Sequence, residues 1–420
     1  MKPKVLIATT YRWLPTARLA MALEKAGCRV EAVCPAGHPL RLTSVVGRTH
    51  RFNGLAPQWS LMKAITAMEP DLIVSGDDVA TRYLHRLYGR ERARGAKGAE
   101  ICALIERSFG RPESFPVVYQ RATFMRLAEE LGVRVPKTAS IANVDALKRW
   151  TAEIGFPVVL KVDGSSGGEG VRIAHNFKEA EQAFHKLHAP PLLARAAKRA
   201  LIDHDSTLVW PSLLRQHSVV NAQAFVEGRD ATSTVACRDG EILGALHFEV
   251  LNKRYLAGPA SVLRLIENRE MTSAVETMVR RLGLSGIHGF DFVIDNHSGA
   301  AHLIEINPRS TQVGHITLGP GRDLPAALTA AVTGGPVNPA SRVTESDTIA
   351  LFPQEWSRDP GSPYLRSSHH DVPWEEPGLI RACVRRARKQ NRSLTQHDWE
   401  TAVAQLTNFP PHSSPQIPPR

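Results

Sequence analysis

Two apolar stretches far apart in the chain carry charges that an apolar strand does not hold without a partner. The first reads Phe156-Pro-Val-Val-Leu-Lys161-Val-Asp-Gly164 and runs on into Ser165-Ser166-Gly167-Gly168-Glu-Gly170. The second reads Gly289-Phe-Asp291-Phe-Val-Ile-Asp, turns through Asn-His-Ser-Gly299, and returns as Ala-Ala-His-Leu-Ile-Glu305-Ile-Asn307-Pro-Arg309. Their β-branched and aromatic content predicts a strand that delivers a glycine loop, and a hairpin. With the hairpin turn centred near Ser298, positions whose numbers sum to 596 face each other, so Asp291 opposes Glu305. The two-residue strand period then puts Asn307 on the face of Glu305. Like charges opposed across a hairpin cost roughly a few tenths of a kcal/mol or more unless a cation lies between them. Two carboxylates and an amide suit Mg²⁺, a hard cation that fills its other positions with water and phosphate oxygen. Lys161 on an apolar strand needs an anion. The glycines after it let backbone N–H groups approach phosphate oxygens, and Ser165 and Ser166 add donors. The spacing is not that of a Gly-x-x-x-x-Gly-Lys-Ser/Thr loop. Read together, the two stretches suit magnesium and a polyphosphate.

Length and composition fit such a chain. At 420 residues, 43% apolar and 22% charged, it has room for two or three globular domains. No window approaches about 18 uninterrupted apolar residues, which argues against a transmembrane helix. The apolar run after Lys4 is short and reads as a first strand rather than a signal peptide. Five scattered cysteines with no Cys-x-x-Cys pair read as reduced thiols and a cytoplasmic location. A net charge of +11 favours anionic partners. Its densest run, Arg381 to Arg392, has helical spacing and no interleaved aromatics, so it reads as a solvated helix face rather than a nucleic-acid patch.

Strand–helix alternation organises the first 115 or so residues: strand 4–10, helix 14–26, strand 29–34, helix near 58–68, strand 71–75, and a helix after Asp77-Asp78. That order predicts an open parallel sheet wrapped by helices. Its turns lack a Gly-x-Gly-x-x-Gly fingerprint, so no dinucleotide site is assigned. The Arg/Gly-rich stretch 90–98 reads as an exposed loop, and 99–109 as a helix closed by Arg111-Pro112. Helices 119–131 and 143–154 and strands 137–141 and 157–162 follow, and Asn176 with Glu179 forms a capping-box pattern. Strands are expected to dominate 207–266, followed by a helix at 270–282, the hairpin at 287–307 and a helix at 323–332. Past 345 the pattern weakens to two helical segments near 378–390 and 395–405 and a Pro-rich tail read as disordered.

These motifs resemble the ATP-grasp superfamily, in its carboxylate–amine ligase type, over about residues 115–335. The resemblance implies an α/β fold in three parts. Residues 1–115 would form an N-terminal open parallel α/β domain. Residues 116–340 would form a two-lobed α+β ATP-grasp domain, its small lobe about 135–226 and its large lobe about 227–340. Residues 341–420 would be a C-terminal extension. The resemblance also implies ATP with Mg²⁺ or Mn²⁺, the metal held by Asp291, Glu305 and Asn307. Arg121, Lys161, Gly164, Ser165, Ser166, Gly167 and Gly168 match positions that contact phosphate. The segment Val219-Val-Asn-Ala-Gln223-Ala-Phe-Val226-Glu-Gly-Arg-Asp230 matches the hinge strand. There the backbone around Ala224 and Val226 would bond the adenine edge, Gln223 would lie beside it, and Asp230 would hold the ribose hydroxyls. Arg309 matches an arginine that stabilises the anionic acyl-transfer intermediate. Lys253 or Arg254 would supply a further cation near the γ-phosphate. The chain departs from the pattern in having Gln223 where an acid is common, valine rather than proline after Lys161, and Arg121 where lysine is frequent.

The implied activity is ATP-dependent activation of a small-molecule carboxylate as an acyl phosphate, attacked by an amine, with release of ADP and phosphate. A non-amine nucleophile and a non-catalytic nucleotide-binding module are the alternatives. The implied partners are a carboxylate and an amine, with a homodimer left open and neither membrane nor nucleic acid expected. Candidates for specificity are Asp77, Asp78, Arg254, the segment 257–261 and the segment Ser310–His315. A helix cap is the first reading of the Asp77-Asp78 pair, and His288, His302 and His315 read as structural.

Overall fold

The computed structural model describes residues 2–164, 170–200, 208–255 and 258–390. Ser165 to Gly168, the expected helix 395–405 and the Pro-rich tail lie outside these residues. The first sheet has four parallel strands, β1 (Lys4–Ala8), β2 (Arg29–Cys34), β3 (Val46–Arg51) and β4 (Leu72–Ser75), in the order β3-β2-β1-β4. Helices Leu14–Lys25, Pro57–Met68, Asp78–Arg92 and Ala99–Phe109 wrap it. Strand β3 had no sequence signal: Val-Gly-Arg-Thr-His-Arg is mostly polar and sits at the sheet edge. The stretch expected as a loop at 90–98 is helical to Arg92 and then forms a 3-10 turn over Gly95–Gly98. Glu91 is fully buried there and binds Arg90 at 2.8 Å and Arg94 at 2.6 Å, which carries the helix past the point its arginines suggested.

The second sheet is antiparallel, with β5 (Thr138–Ile141), β6 (Val158–Val162), β7 (Val171–Ala174) and β8 (Val220–Ala224) in the order β5-β8-β6-β7. Helices Val144–Ile154 and Phe177–His188 cover one face through Leu147, Ala180 and Phe184. The second helix opens on Asn176, whose side chain accepts the Glu179 N–H at 3.0 Å while Glu179 accepts the His175 N–H at 2.9 Å. A short helix, Val209–Leu213, stands where strands were expected.

The third sheet runs β13-β12-β9-β10-β11-β14-β15, from β9 (Gly228–Arg238), β10 (Glu241–Lys253), β11 (Ala260–Leu265), β12 (Gly286–Asp295), β13 (Ala301–Asn307), β14 (Thr348–Leu351) and β15 (His369–Asp371). Only the β14–β15 pair is parallel. Helix Arg269–Leu282 packs on one face through Met271, Val275 and Met278. On the other face, Phe248, Leu263 and Leu324 share one core with Ile7, Leu19 and Leu23 of the N-terminal unit. The N-terminal unit and the third sheet are therefore one packed body, while the second sheet keeps a core of its own.

The chain past residue 345 is built into this body. Strand β14 pairs with β11, and Phe352 and Trp356 pack on Val262. Buried Glu355 accepts from the Ser261 hydroxyl at 2.7 Å, and Glu376 accepts from the Ser44 N–H and hydroxyl at 2.7 Å. Asp371 binds Arg18 and, at 2.8 Å, His315. His315 thus joins three parts of the fold, as a structural histidine does.

Candidate active site

A β-bulge sets the phase of the hairpin. From the turn inward, β12 and β13 pair as Ile294 with Ala301, Val293 with His302 and Phe292 with Leu303. Continued unchanged, that register would put Ile304 opposite Asp291 and Glu305 opposite Phe290, a fully buried core residue. Burying an unpaired carboxylate among apolar side chains costs several kcal/mol, far more than a bulge. Ile304 is instead the extra residue, and the ladder resumes with Asp291 opposite Glu305 and Gly289 opposite Asn307. The expected pairing is found, but the register that predicts it holds only beyond the bulge, and nearer the turn the pairs are displaced by one. Gln223 Nε2 lies 3.5 Å from the Ile304 carbonyl.

The second sheet faces this hairpin. Strand period two sends Val158, Leu160, Val220 and Ala222 into its core, and Val159, Lys161, Asn221 and Gln223 to the opposite face. Lys161 stands opposite Asn221, and Val159 opposite Gln223. Arg121, at the start of helix Arg121–Glu130, closes the gap: its guanidinium binds Glu305 through both oxygens, at 2.8 and 3.1 Å, and its N–H donates to Asp163 at 3.3 Å. On the far side, the Thr232 hydroxyl donates to Asp291 at 2.9 Å, and Asn307 Nδ2 donates to its other oxygen at 2.9 Å. Arg309 is held by Asp78 at 3.0 Å and by the Asn307 side-chain oxygen at 3.1 Å, with its guanidinium over the Trp13 ring at 4.9 Å.

Charges in this wall shape one another. Burial lowers the Lys161 pKa to about 8, and neighbouring Arg121 adds to the fall against the pull of Glu305 and Asp291. Burial, then the charge of Glu305, raises Asp291 above the usual carboxylate range. Burial would raise Glu305 too, but Arg121, Lys161 and Arg309 hold it below its ordinary value. Arg309 is pushed up, against its own burial, chiefly by Asp78.

One cleft of about 2420 Å³, between the N-terminal unit and the second and third sheets, collects these groups. Of the expected residues it is lined by Arg121, Lys161, Gly164, Gln223, Ala224, Val226, Asp230, Lys253, Asp291, Glu305, Asn307 and Arg309. Lys253 is ion-paired with Asp230, whereas Arg254 is exposed and not part of the lining, which separates two neighbours the sequence leaves equivalent. Ser165, Ser166, Gly167 and Gly168 lie outside the described residues. Asp77 and Asp78 divide their roles. Asp77 is buried and caps its helix through the Ala80 N–H at 2.8 Å, while Asp78 holds Arg309. Sequence reasoning missed Thr232 and Asn221 in the wall, and Arg82 and Arg86, which also line the cleft. The spacing of Asp78, Arg82 and Arg86, four residues apart on a helix, is the signal that would have found the last two.

The residues present fit a magnesium ion that shares its coordination with phosphate. Among the described residues no three His, Cys, Asp or Glu side chains gather closely enough to hold a metal by themselves. Mg²⁺ does not ask for that, since it takes one or two carboxylates plus substrate oxygens. Asp291 and Glu305 are opposed and partly neutralised by Arg121, whose buried Nε has no hydrogen-bond partner among the described residues. Asn307 fits less directly, because its oxygen points to Arg309 and its amide nitrogen to Asp291.

Residues 120–319 match the family described as the carbamoyl-phosphate synthase L chain, ATP binding domain. The chain is 23% identical over 194 residues to the carbamoyl phosphate synthase large chain of Thermus thermophilus, covering 45% of this chain and 17% of that one. It is 24% identical over 255 residues to the arginine-specific large chain of Geobacillus stearothermophilus, covering 59% and 23%. It thus spans about a fifth of the length of these relatives. Among solved structures it resembles N5-carboxyaminoimidazole synthetase from Staphylococcus aureus, complexed with ADP, with a TM-score of 0.57 at 15% identity, covering 81% of this chain and 80% of that one. It also resembles the biotin carboxylase domain dimer of 2-oxoglutarate carboxylase from Hydrogenobacter thermophilus, in complex with MgADP and bicarbonate, with a TM-score of 0.55 at 17% identity, covering 81% and 72%. Through residues 120–319 the chain thus matches that ATP binding domain, and over most of its length it shares the fold of these solved neighbours.

Proposed function

We propose that the protein is an ATP-dependent ligase that activates a small-molecule carboxylate as an acyl phosphate and passes the acyl group to an amine, releasing ADP and phosphate. The observation that carries this reading is the wall formed by Asp291, Glu305, Arg121 and Lys161, with Arg309 at its end. Adenine would lie against Gln223, Ala224 and Val226, and the ribose against Asp230, displacing Lys253 toward the phosphates. Lys161 and Arg121 would hold the phosphates. Mg²⁺ bound at Asp291 and Glu305, with Asn307 contributing once its amide turns, would offset charge on the transferring phosphoryl group. Arg309, fixed by Asp78 and Trp13, would face the acyl carbon and stabilise its oxyanion without reorganising. The cleft exceeds the roughly 300–1,000 Å³ of a site for one small ligand, so nucleotide and a second substrate fit together. The solved neighbours bound to ADP and MgADP support the nucleotide assignment.

The test is release of ADP and phosphate from MgATP across a pool of acids and amines, with AMP followed in parallel. ADP release that needs both an acid and an amine is expected. AMP as product would reject the acyl-phosphate route, and acid-dependent ADP release indifferent to amines would point to another nucleophile. Five free thiols suit the reducing cytoplasm as its location. No helix among the described residues is long and apolar enough to cross a membrane.

A further inference from the structure

Among the described residues four carboxylates line the cleft, Asp163, Asp230, Asp291 and Glu305, and all belong to the half assigned to nucleotide and metal. Asp163 is held by Arg121 and Asn221, Asp230 by Lys253, Asp291 by Thr232 and Asn307, and Glu305 by Arg121. Of the two acids on helix Asp78–Arg92, Asp78 is spent on Arg309 and Glu91 on Arg90 and Arg94. One and two turns past Asp78 on the same helix stand Arg82 and Arg86, both in the cleft lining. Neither has a carboxylate within ion-pair distance among the described residues. Arg82 is held in place without one. Its guanidinium lies over the Tyr119 ring at 5.2 Å and against Gly164, where any Cβ would collide with it. Stacking occupies the faces of the group and leaves N–H donors at its edge for an anion. A rise of about 1.5 Å per residue puts these two positions roughly 6 and 12 Å along the helix from the residue that fixes Arg309.

We infer that Arg82 and Arg86 form an anion subsite for the acid substrate. The acid carries a second negative group, carboxylate or phosphate, about one to two helical turns from the carboxylate that is activated at Arg309. This rests on the ligase reading and names the class of acid it uses.

The test uses the full chain saturated with Mg²⁺ and the non-hydrolysable analogue AMP-PNP, titrated calorimetrically at constant ionic strength. Glutarate and 3-phosphoglycerate, each with two anionic groups, are the dianion probes in that sense, and butyrate and glycerate are their counterparts with one anionic group. The wild type is expected to bind at least one dianion about tenfold or more tightly than its counterpart. Arg82→Gln and Arg86→Gln should each remove most of that preference, since one charge-assisted hydrogen bond is worth roughly that factor. AMP-PNP affinity should be unchanged. The arm that responds tells carboxylate from phosphate. Equal binding of the two charge classes, no binding of either dianion, or dianion binding untouched by both variants would overturn the inference. So would weakening of AMP-PNP rather than of the acid, which would make these arginines nucleotide ligands. Failure of the wild type to bind AMP-PNP, read before any acid is added, would instead sink the ligase reading beneath it.

Discussion

Lys161 holds its charge where a charge is costly. Its pKa of about 8 lies below the ordinary 10.5 because burial, and then Arg121, penalise the ammonium. The sign follows from linkage. Below pH 8 the lysine is charged folded and unfolded, and the penalty on folding is present in full. Between 8 and 10.5 the folded protein releases the proton first and the penalty fades. Phosphate in the cleft would favour the ammonium, so nucleotide binding near pH 8 should take up about half a proton, and almost none at pH 6.5. Calorimetry in buffers of different ionisation heat measures this, and Lys161→Met should abolish it. Glu305 makes a second case. Glu305→Gln keeps the shape and removes the charge that faces Asp291 and Arg121, so turnover should fall at least about 100-fold with little change in melting temperature. Wild-type turnover in that variant would remove the metal assignment. Both residues were legible in the sequence because a lysine and a glutamate on apolar strands contradict their surroundings. The grip of Asp78 on Arg309 was not, since 231 positions separate them and no spacing rule reaches across that gap.

Elements show the same division between local and distant causes. Helix Asp78–Arg92 starts where Asp77 caps it, and a cap is a local signal that the sequence displays. The rest of the work of Asp77 is not local. Fully buried, it also accepts from the Thr9 hydroxyl at 2.8 Å and from the N–H and hydroxyl of Thr10, which pins the end of β1 to the helix. Asp77→Ala removes the cap and strands the Thr10 N–H and hydroxyl, so it should cost about 3 kcal/mol or more of stability, beyond the roughly 1 kcal/mol of a simple cap. Urea unfolding measures that loss. Because the same helix carries Asp78, the variant should also loosen Arg309 and lower turnover with acid more than it lowers nucleotide affinity. The bulge at Ile304 is a further element the sequence hides. Alternation alone predicts an unbroken ladder, and only the conflict between the turn register and the placement of Glu305 against Phe290 calls for the extra residue. Strands β14 and β15 went unseen because four and three residues, two of them histidine, carry no period of their own. Strand β11 supplies the pairing of β14, and β14 that of β15.

At the scale of the molecule, the parallel α/β organisation of the N-terminal unit was legible from alternating strands and helices, but the distribution of cores was not. The N-terminal unit, the third sheet and the chain to residue 390 are tied by a common core and by Arg18–Asp371–His315, Glu355 and Glu376. The second sheet stands apart with a core of Leu147, Leu160, Ala180, Phe184 and Ala222. It contributes Lys161, Gln223 and Gly164 to the cleft, while Asp291, Glu305 and Arg309 belong to the larger body. A ligand touching both therefore joins two units that are otherwise packed separately, and its binding energy is available to hold them together. Amide exchange in β6 and β7 should accordingly slow by about tenfold or more when Mg²⁺ and AMP-PNP are added, with β1 and β2 unchanged. Glu305→Gln should weaken this protection, because it acts on the body opposite the protected strands. Equal protection across all three sheets would mean that the ligand stabilises the chain as one unit. Protection confined to the third sheet would mean that Lys161 does not reach the nucleotide, and the wall assembled from Lys161, Arg121 and the hairpin would then not be a single site.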